Sequence, residues 1–223
     1  MSSDFFPSSI GEKAGEYFGR VLGEEDSYRK KILERMREKG VRMINITPFE
    51  GNIISTYVRA LNPRKGVEIG TLCGYSAMWL LRAMDENSRL YTIEKDPLHY
   101  NLASQVFEEN GLSKRVIMIQ DEALDALEKL SKLAPFDFCL IDADKDAYPD
   151  YLKWCLKNLR SGGLMIAHNP FLKGELFYEG EDRKQNKKSR GMREFLHLLF
   201  KDENFSSYCV IPSKDGLAVG VRK

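Results

Sequence analysis

Carboxylates, a lysine, a histidine and an amide gather where two apolar runs of the chain end. Phe136 to Ile141 closes on Asp142-Ala143-Asp144-Lys145-Asp146, and Leu164 to Ala167 closes on His168-Asn169. If both runs are strands of one parallel sheet, their carboxyl ends open on the same crevice, and Asp142, His168 and Asn169 converge from neighbouring tips. A carboxylate, an imidazole and an amide at one edge suit a metal ion and leave positions on it for substrate and water. Asp144 and Asp146 read instead as solvated residues at the start of the next helix. His99 and His197 fall inside helical patterns and read as packing or surface residues.

The second constellation is Val67-Glu68-Ile69-Gly70-Thr71-Leu72-Cys73-Gly74-Tyr75-Ser76, an apolar run that ends in glycine and resumes as the helical pattern Ser76 to Leu81. A strand, a tight turn and a helix start present unpaired N–H groups and the positive end of a helix dipole to a ligand. A dinucleotide fingerprint needs a glycine two residues after the first, so that pyrophosphate can approach the backbone; Leu72 stands there, which disfavours a nicotinamide cofactor. The next run, Leu90-Tyr91-Thr92-Ile93-Glu94, closes on an acid that can accept both hydroxyls of a ribose. A nucleoside without pyrophosphate fits Gly70, Gly74 and Glu94, and S-adenosylmethionine is such a molecule.

Strands must aim these residues and helices must cover the strands. From Ser27 to Lys39, Tyr28, Ile32 and Met36 recur every fourth residue among charges, and Gly40 supplies a stop: an amphipathic helix outside the sheet. Thr47-Pro48-Phe49-Glu50 opens a second helix as a capping box, with Ile53, Ile54, Tyr57, Val58 and Leu61 inward and Asn62-Pro63 as its end. Further helices are expected from Asp96-Pro97 to Asn110-Gly111, from Asp121 to Leu133 with Leu124, Leu127 and Leu130 inward, and from Tyr148 to Leu159 with a stop at Ser161-Gly162-Gly163. Between them Arg115 to Ile119, Phe136 to Ile141 and Leu164 to Ala167 read as continuous apolar strands, the mark of a parallel sheet buried on both faces. A last helix carries Met192, Phe195, Leu196 and Leu199. Tyr208 to Ile211 and Leu217 to Val221 follow, joined through Asp215-Gly216 as an antiparallel pair. The expectation is an α/β fold of seven strands, mostly parallel, with helices on both faces.

With 223 residues, 43% of them hydrophobic, the chain suits one α/β domain, its arm and first helices reaching residue 45 and its core running from 46 to 223. Its 34 Lys and Arg against 33 Asp and Glu create no net field for nucleic acid or an anionic membrane, which leaves a small molecule as the expected partner. No apolar run approaches the roughly 20 residues of a membrane span, and the start shows no signal-peptide pattern. Cys73, Cys139, Cys155 and Cys209 form no Cys-x-x-Cys pair and read as free thiols, so a cytoplasmic location is expected. Phe5 and Phe6 suggest an arm that packs on something, a second subunit being one candidate, with a disordered start as the alternative reading.

Several motifs in order then carry a resemblance: Thr47-Pro48-x-Glu50-Gly51, the Val67 to Ser76 stretch, Thr92-Ile93-Glu94, Asp142-Ala143-Asp144-Lys145-x-x-Tyr148-x-x-Tyr151, Leu159-Arg160-x-Gly162-Gly163 and Asp215-Gly216-Leu217. From about Met43 to its end the chain resembles the S-adenosylmethionine-dependent O-methyltransferases of the catechol and caffeoyl-CoA type. The resemblance implies a Rossmann-like class I methyltransferase fold with an antiparallel last strand, a homodimer, and methyl transfer to a hydroxyl of a small catechol-like aromatic or its CoA ester. It implies that Ile46, Glu68, Gly70, Gly74, Tyr75, Ser76, Asp142 and Tyr151 border the cofactor, that Glu94 holds the ribose, and that Glu122 and Ala123 flank the adenine. Asp142 and Asn169 match ligands of a divalent metal, and Lys145 matches the general base. A phenol with a pKa of about 10 becomes a usable nucleophile when such a cation binds it.

One position leaves that pattern. The usual Asp-Asn at the end of the fifth strand is His168-Asn169 here, which removes one negative ligand. A neutral imidazole at 168 would favour Mn, Fe, Co or Zn over Mg, and would release the metal on protonation near its ordinary value of about 6.5. The departure also admits a metal-independent methyltransferase with an altered site, or a non-catalytic protein that keeps the nucleoside site as a binding module. Between Lys173 and Arg190 a charged, glycine-punctuated loop is placed to border the substrate. Lys184, Lys187, Lys188 and Arg190 suit the phosphates of a CoA thioester, and Phe177 and Tyr178 suit an aromatic ring; a solvated, disordered loop is the alternative reading.

Overall fold

A computed structural model of the protein describes residues 17, 21, 27–177, 186–201, 203 and 205–223. The expected arm at Phe5 and Phe6, and Tyr178 and Lys184 of the loop, lie outside the described residues.

The first helix, α1 (Ser27–Glu38), buries Ile32 and Met36 but leaves Tyr28 exposed, so its inward stripe begins one turn later than its periodicity suggests. The second, α2 (Pro48–Leu61), starts on the expected capping box: Thr47 accepts from the Glu50 N–H, the Glu50 carboxylate accepts from the Thr47 N–H, and Asn62 at φ 50 closes the far end. Its buried stripe is Glu50, Gly51, Ile54 and Val58, with Tyr57 turned outward. Strand and helix then alternate as β1 (Lys65–Ile69), α3 (Tyr75–Ala83), β2 (Arg89–Ile93), α4 (Pro97–Glu109), β3 (Val116–Ile119), α5 (Ala123–Leu130), β4 (Phe136–Ile141), α6 (Tyr148–Asn158), β5 (Leu159–His168), α7 (Lys187–Lys201), β6 (Phe205–Ile211) and β7 (Leu217–Arg222).

The seven strands form one sheet in the order β3-β2-β1-β4-β5-β7-β6, parallel from β3 through β5, with β7 antiparallel to both of its neighbours. Alternation along the strands feeds two cores. Phe138, Leu140, Leu164 and Ile166 pack with Ile32, Ile54, Leu80 and Leu102 of α1, α2, α3 and α4. Cys139, Ile141, Met165 and Ala167 pack on the other face with Leu127, Leu152 and Phe195 of α5, α6 and α7. Among the described residues no helix is long and apolar enough to cross a membrane. All four cysteines are free, and only Cys209 is exposed.

Two further expectations are corrected. The helix expected over Asp121 to Leu133 is the shorter α5 followed by a 3₁₀ turn at Ser131–Leu133, and Leu124 is 46% exposed because it sits on the solvent side of that short helix. Ser161-Gly162-Gly163 does not stop a helix either: α6 ends at Asn158, and the glycines lie inside the ten-residue β5. A Cβ on Gly163 would stand 2.9 Å from the carbonyl oxygens of Arg160 and Asp137, so this glycine allows close approach to β4.

Candidate active site

The glycine turn after β1 is shaped by its neighbours. Gly70 has φ +96, and a Cβ on it would lie 2.2 Å from the carbonyl oxygen of Asp142, so the exits of β1 and β4 run against each other. Gly74, at φ +85, caps α3. Between them Leu72 also adopts a positive φ of 50, an unfavourable state for a side-chain residue, and its N–H donates to Glu94 Oε2 at 2.8 Å. The Asp96 N–H donates to Glu94 Oε1 at 2.9 Å. Two main-chain donors thus aim the Glu94 carboxylate and leave it lone pairs for hydroxyl groups, which fits the expected hold on a ribose.

Glu68 acts from beneath that turn. It is fully buried; Ser76 Oγ donates to its Oε1 at 2.6 Å and Thr92 Oγ1 to its Oε2 at 2.5 Å. Burial pushes its carboxyl up to about 7 against those two hydrogen bonds. Ile46, Tyr75 and Tyr151 are also buried, Ala123 opens α5, and Glu122 is the exposed N-cap of that helix. Tyr151 packs in the core beside Tyr148, their ring centroids 6.1 Å apart.

The charged row lies at the tips of β4 and β5. Their register pairs Ile141 with Ala167, so the next residues, Asp142 and His168, emerge side by side on the face covered by α2. Asp142 Oδ2 lies 3.0 Å from His168 Nδ1, and Lys145 Nζ donates to Asp142 Oδ1 at 3.0 Å. Lys145 also donates to the His168 carbonyl at 3.0 Å and to the Tyr148 hydroxyl. Lys145 is therefore no surface partner of Asp144, which instead takes Lys95 at 2.8 Å. On the far side of the His168 ring, Nε2 stands 3.5 Å from Glu50 Oε2.

Glu50 is the site residue that sequence reasoning missed. Its motif and its capping box are visible, but nothing local shows that its carboxylate also reaches β5. It is fully buried and accepts from the Thr47 N–H and hydroxyl, both at 2.8 Å, from Ser213 Oγ at 2.6 Å, and from the Asp215 N–H at 3.2 Å. Glu50, His168, Asp142 and Lys145 form a row of alternating sign. Burial alone would raise Glu50, but hydrogen bonding and the charge of His168 bring it down to about 2. Burial alone would lower His168, but Asp142 and Glu50 raise it to about 9. Burial likewise opposes charge on Asp142, and His168 and Lys145 outweigh it, holding this carboxyl well below the usual range.

A stability profile follows from the raised histidine. Its contribution is complete below the ordinary value of 6.5 and is lost as pH rises through about 9. That full loss is on the order of 3 kcal/mol. Melting temperatures of the wild type and His168→Gln, compared between pH 7 and 9.5, should converge as pH rises; parallel curves would contradict the assignment.

The donors do not fit the metal set expected from the sequence. Both Asp142 oxygens are engaged, by Lys145 and His168, and His168 Nδ1 is spent on Asp142. Glu50, on the other side, already accepts four hydrogen bonds. Of the expected trio, the Asn169 amide oxygen and His168 Nε2 are buried without a hydrogen-bond partner, and that nitrogen faces Glu50 Oε2 at 3.5 Å. One amide oxygen and one ring nitrogen that already faces a carboxylate fall short of the three protein donors expected for a transition metal here, because the Asp142 carboxylate is taken up within the chain. A different group, Glu50, His168 and Asp215, has ligand atoms within 4.8 Å of one another, but Glu50 is the saturated member of it.

The expected substrate loop is only partly described: 172–177 forms a 3₁₀ segment, Phe177 is exposed and packs on Phe171 at 5.3 Å, and Lys187, Lys188 and Arg190 begin α7 on the exposed side.

Comparison with known proteins gives concordant results. A family model described as O-methyltransferase matches residues 23–223. A catechol O-methyltransferase from Niastella koreensis is 30% identical over 222 residues, covering 97% of this chain and 99% of that protein. An O-methyltransferase from Bacillus cereus, solved in complex with SAH, is 28% identical with a TM-score of 0.86, covering 96% of this chain and 99% of that one. An O-methyltransferase of tomaymycin synthesis from Streptomyces achromogenes, solved with SAM, is 26% identical with a TM-score of 0.85, covering 98% and 100%.

Proposed function

Since the chain belongs to the O-methyltransferase family, we propose that it moves the methyl group of S-adenosylmethionine to a hydroxyl of a small catechol-like aromatic or its CoA ester. The observation that carries the reading is the placement of Lys145, fixed by Asp142 at the tip of β4, beside the glycine turn whose Glu94 is aimed by two main-chain N–H groups. S-adenosylmethionine supplies an electrophilic methyl on a sulfonium. Glu94 holds the ribose, and the Gly70 to Gly74 main chain with the start of α3 shapes the turn around the nucleoside. Lys145, whose side chain is 12% exposed at the crevice, is the group placed to receive the proton of the acceptor hydroxyl, and the oxygen then displaces the sulfur in one step. The exposed Lys187, Lys188 and Arg190 support a place for the phosphates of a CoA ester.

The test is a methyl-transfer assay over catechols and hydroxycinnamoyl thioesters with product identification. Turnover of a vicinal diol or its thioester supports the reading; cofactor binding without turnover across the panel favours a binding module. Glu94→Ala should weaken S-adenosylmethionine by roughly 1.5–3 kcal/mol, about 10- to 100-fold, because a charged acceptor for two hydroxyls is lost. Unchanged calorimetric affinity would remove Glu94 from the site. The same reading makes the working unit a single-domain chain paired as a homodimer in the cytoplasm. The free cysteines support a reducing compartment, and sedimentation equilibrium measures the assembly.

A further inference from the structure

The place where the family pattern puts a second carboxylate is occupied here by a ring that spans two carboxylates. His168 is 2% exposed, with Nδ1 3.0 Å from Asp142 Oδ2 and Nε2 on the opposite side 3.5 Å from Glu50 Oε2. The carbonyl of the same residue accepts from Lys145 at 3.0 Å and lies 2.9 Å from the Tyr148 hydroxyl, so the backbone under the ring is held as well. Glu50 is tied to α2 through Thr47 and to the β6–β7 loop through Ser213 and Asp215. Every carboxylate oxygen that faces the ring or Lys145 has a partner within the chain.

Resting on the methyltransfer reading above, we infer that this chain transfers methyl groups without a divalent metal, the His168 ring between Glu50 and Asp142 taking the place of the cation. The ring bridges two carboxylates that would otherwise repel each other, which is what a cation does between acidic ligands. Through Asp142 it also sets where Lys145 points. His168 and Glu50 are positioning residues in this arrangement, since neither faces the crevice, and Lys145 remains the group that meets the acceptor. An aspartate at position 168 would face Glu50 and Asp142 with only Lys145 to offset three negative charges. That imbalance would recruit a cation.

The experiment titrates metal-free wild type, His168→Asp and Asp215→Asn with Mg²⁺, Mn²⁺, Co²⁺ and Zn²⁺ in a calorimeter, and measures catechol methylation before and after exhaustive chelation. For the wild type the expectation is no site tighter than about 1 mM and turnover within about twofold of the untreated protein after chelation. His168→Asp, checked for folding by circular dichroism, should bind Mn²⁺ at least ~10-fold more tightly and need it for turnover. Stoichiometric binding by the wild type overturns the inference, and its loss in Asp215→Asn would place the ion at the Glu50, His168 and Asp215 group. Wild-type activity that disappears on chelation and returns with metal also overturns it. So does a folded His168→Asp that gains no affinity, because the ring would then not be what replaces the ion. If no acceptor is turned over with or without metal, the methyltransfer reading fails, while calorimetry still decides whether a cation binds.

Discussion

Lys145→Ala is expected to lower kcat by roughly 10²–10⁴-fold, the usual loss when a positioned base is removed, while S-adenosylmethionine binds as tightly as to the wild type. The separation follows from geometry. Lys145 is held by Asp142, the His168 carbonyl and Tyr148 at the tips of β4 and β5, whereas Glu94 holds its place through Leu72 and Asp96. Because Lys145 also ties β4 to β5, its loss costs some stability, and Lys145→Arg separates the two roles. Arginine keeps the charge and can keep the ties, but it does not release its proton to serve as a base. Arginine should therefore restore the melting temperature without restoring the rate. Wild-type turnover in either variant across pH 6–10 would make Lys145 structural and leave the proton to water or another group.

Gly70→Ala should destabilise the protein by about 2–5 kcal/mol, a fall in melting temperature of roughly 5–15 °C for a chain of this size, and should weaken cofactor binding as well. Two costs add. A side chain at φ +96 leaves the allowed region, and its Cβ would meet the Asp142 carbonyl oxygen at 2.2 Å, where no flexible group can give way. Relief requires the β1 and β4 exits to part, which moves Asp142 and with it Lys145 and His168. Thermal melts and calorimetric affinity for S-adenosylmethionine read both effects. A variant that melts with the wild type and binds normally would show that the close approach is not needed.

These expectations draw unequally on sequence and structure. The capping box of Thr47 and Glu50, the strand–glycine–helix unit around Gly70, the acid at the end of β2 and the Asp215-Gly216 hairpin are all legible in the chain. Each is encoded by residues within a few positions of one another: a cap, a break in apolar periodicity, a turn residue. Local patterns fail where a distant neighbour decides. Gly162 and Gly163 read as a helix stop, yet they lie inside β5, with Gly163 close against the backbone of β4. Leu124 fits a helical stripe, yet α5 is too short to bury it.

The active-site chemistry divides along the same line. The sequence by itself determined which polar residues stand at strand ends, because alternation and the positions of glycine and acid carry that information, and it marked His168 as a departure from its family. Only the tertiary structure decided what His168 does. Parallel pairing of β4 with β5 sets Asp142 on one side of the ring, and α2, entering from more than a hundred residues away, sets Glu50 on the other. A histidine titrating near its ordinary value could serve as a neutral ligand; the same histidine between two carboxylates in a buried gap is held charged, up to about 9. The difference is the field of partners distant in sequence, which no local pattern encodes.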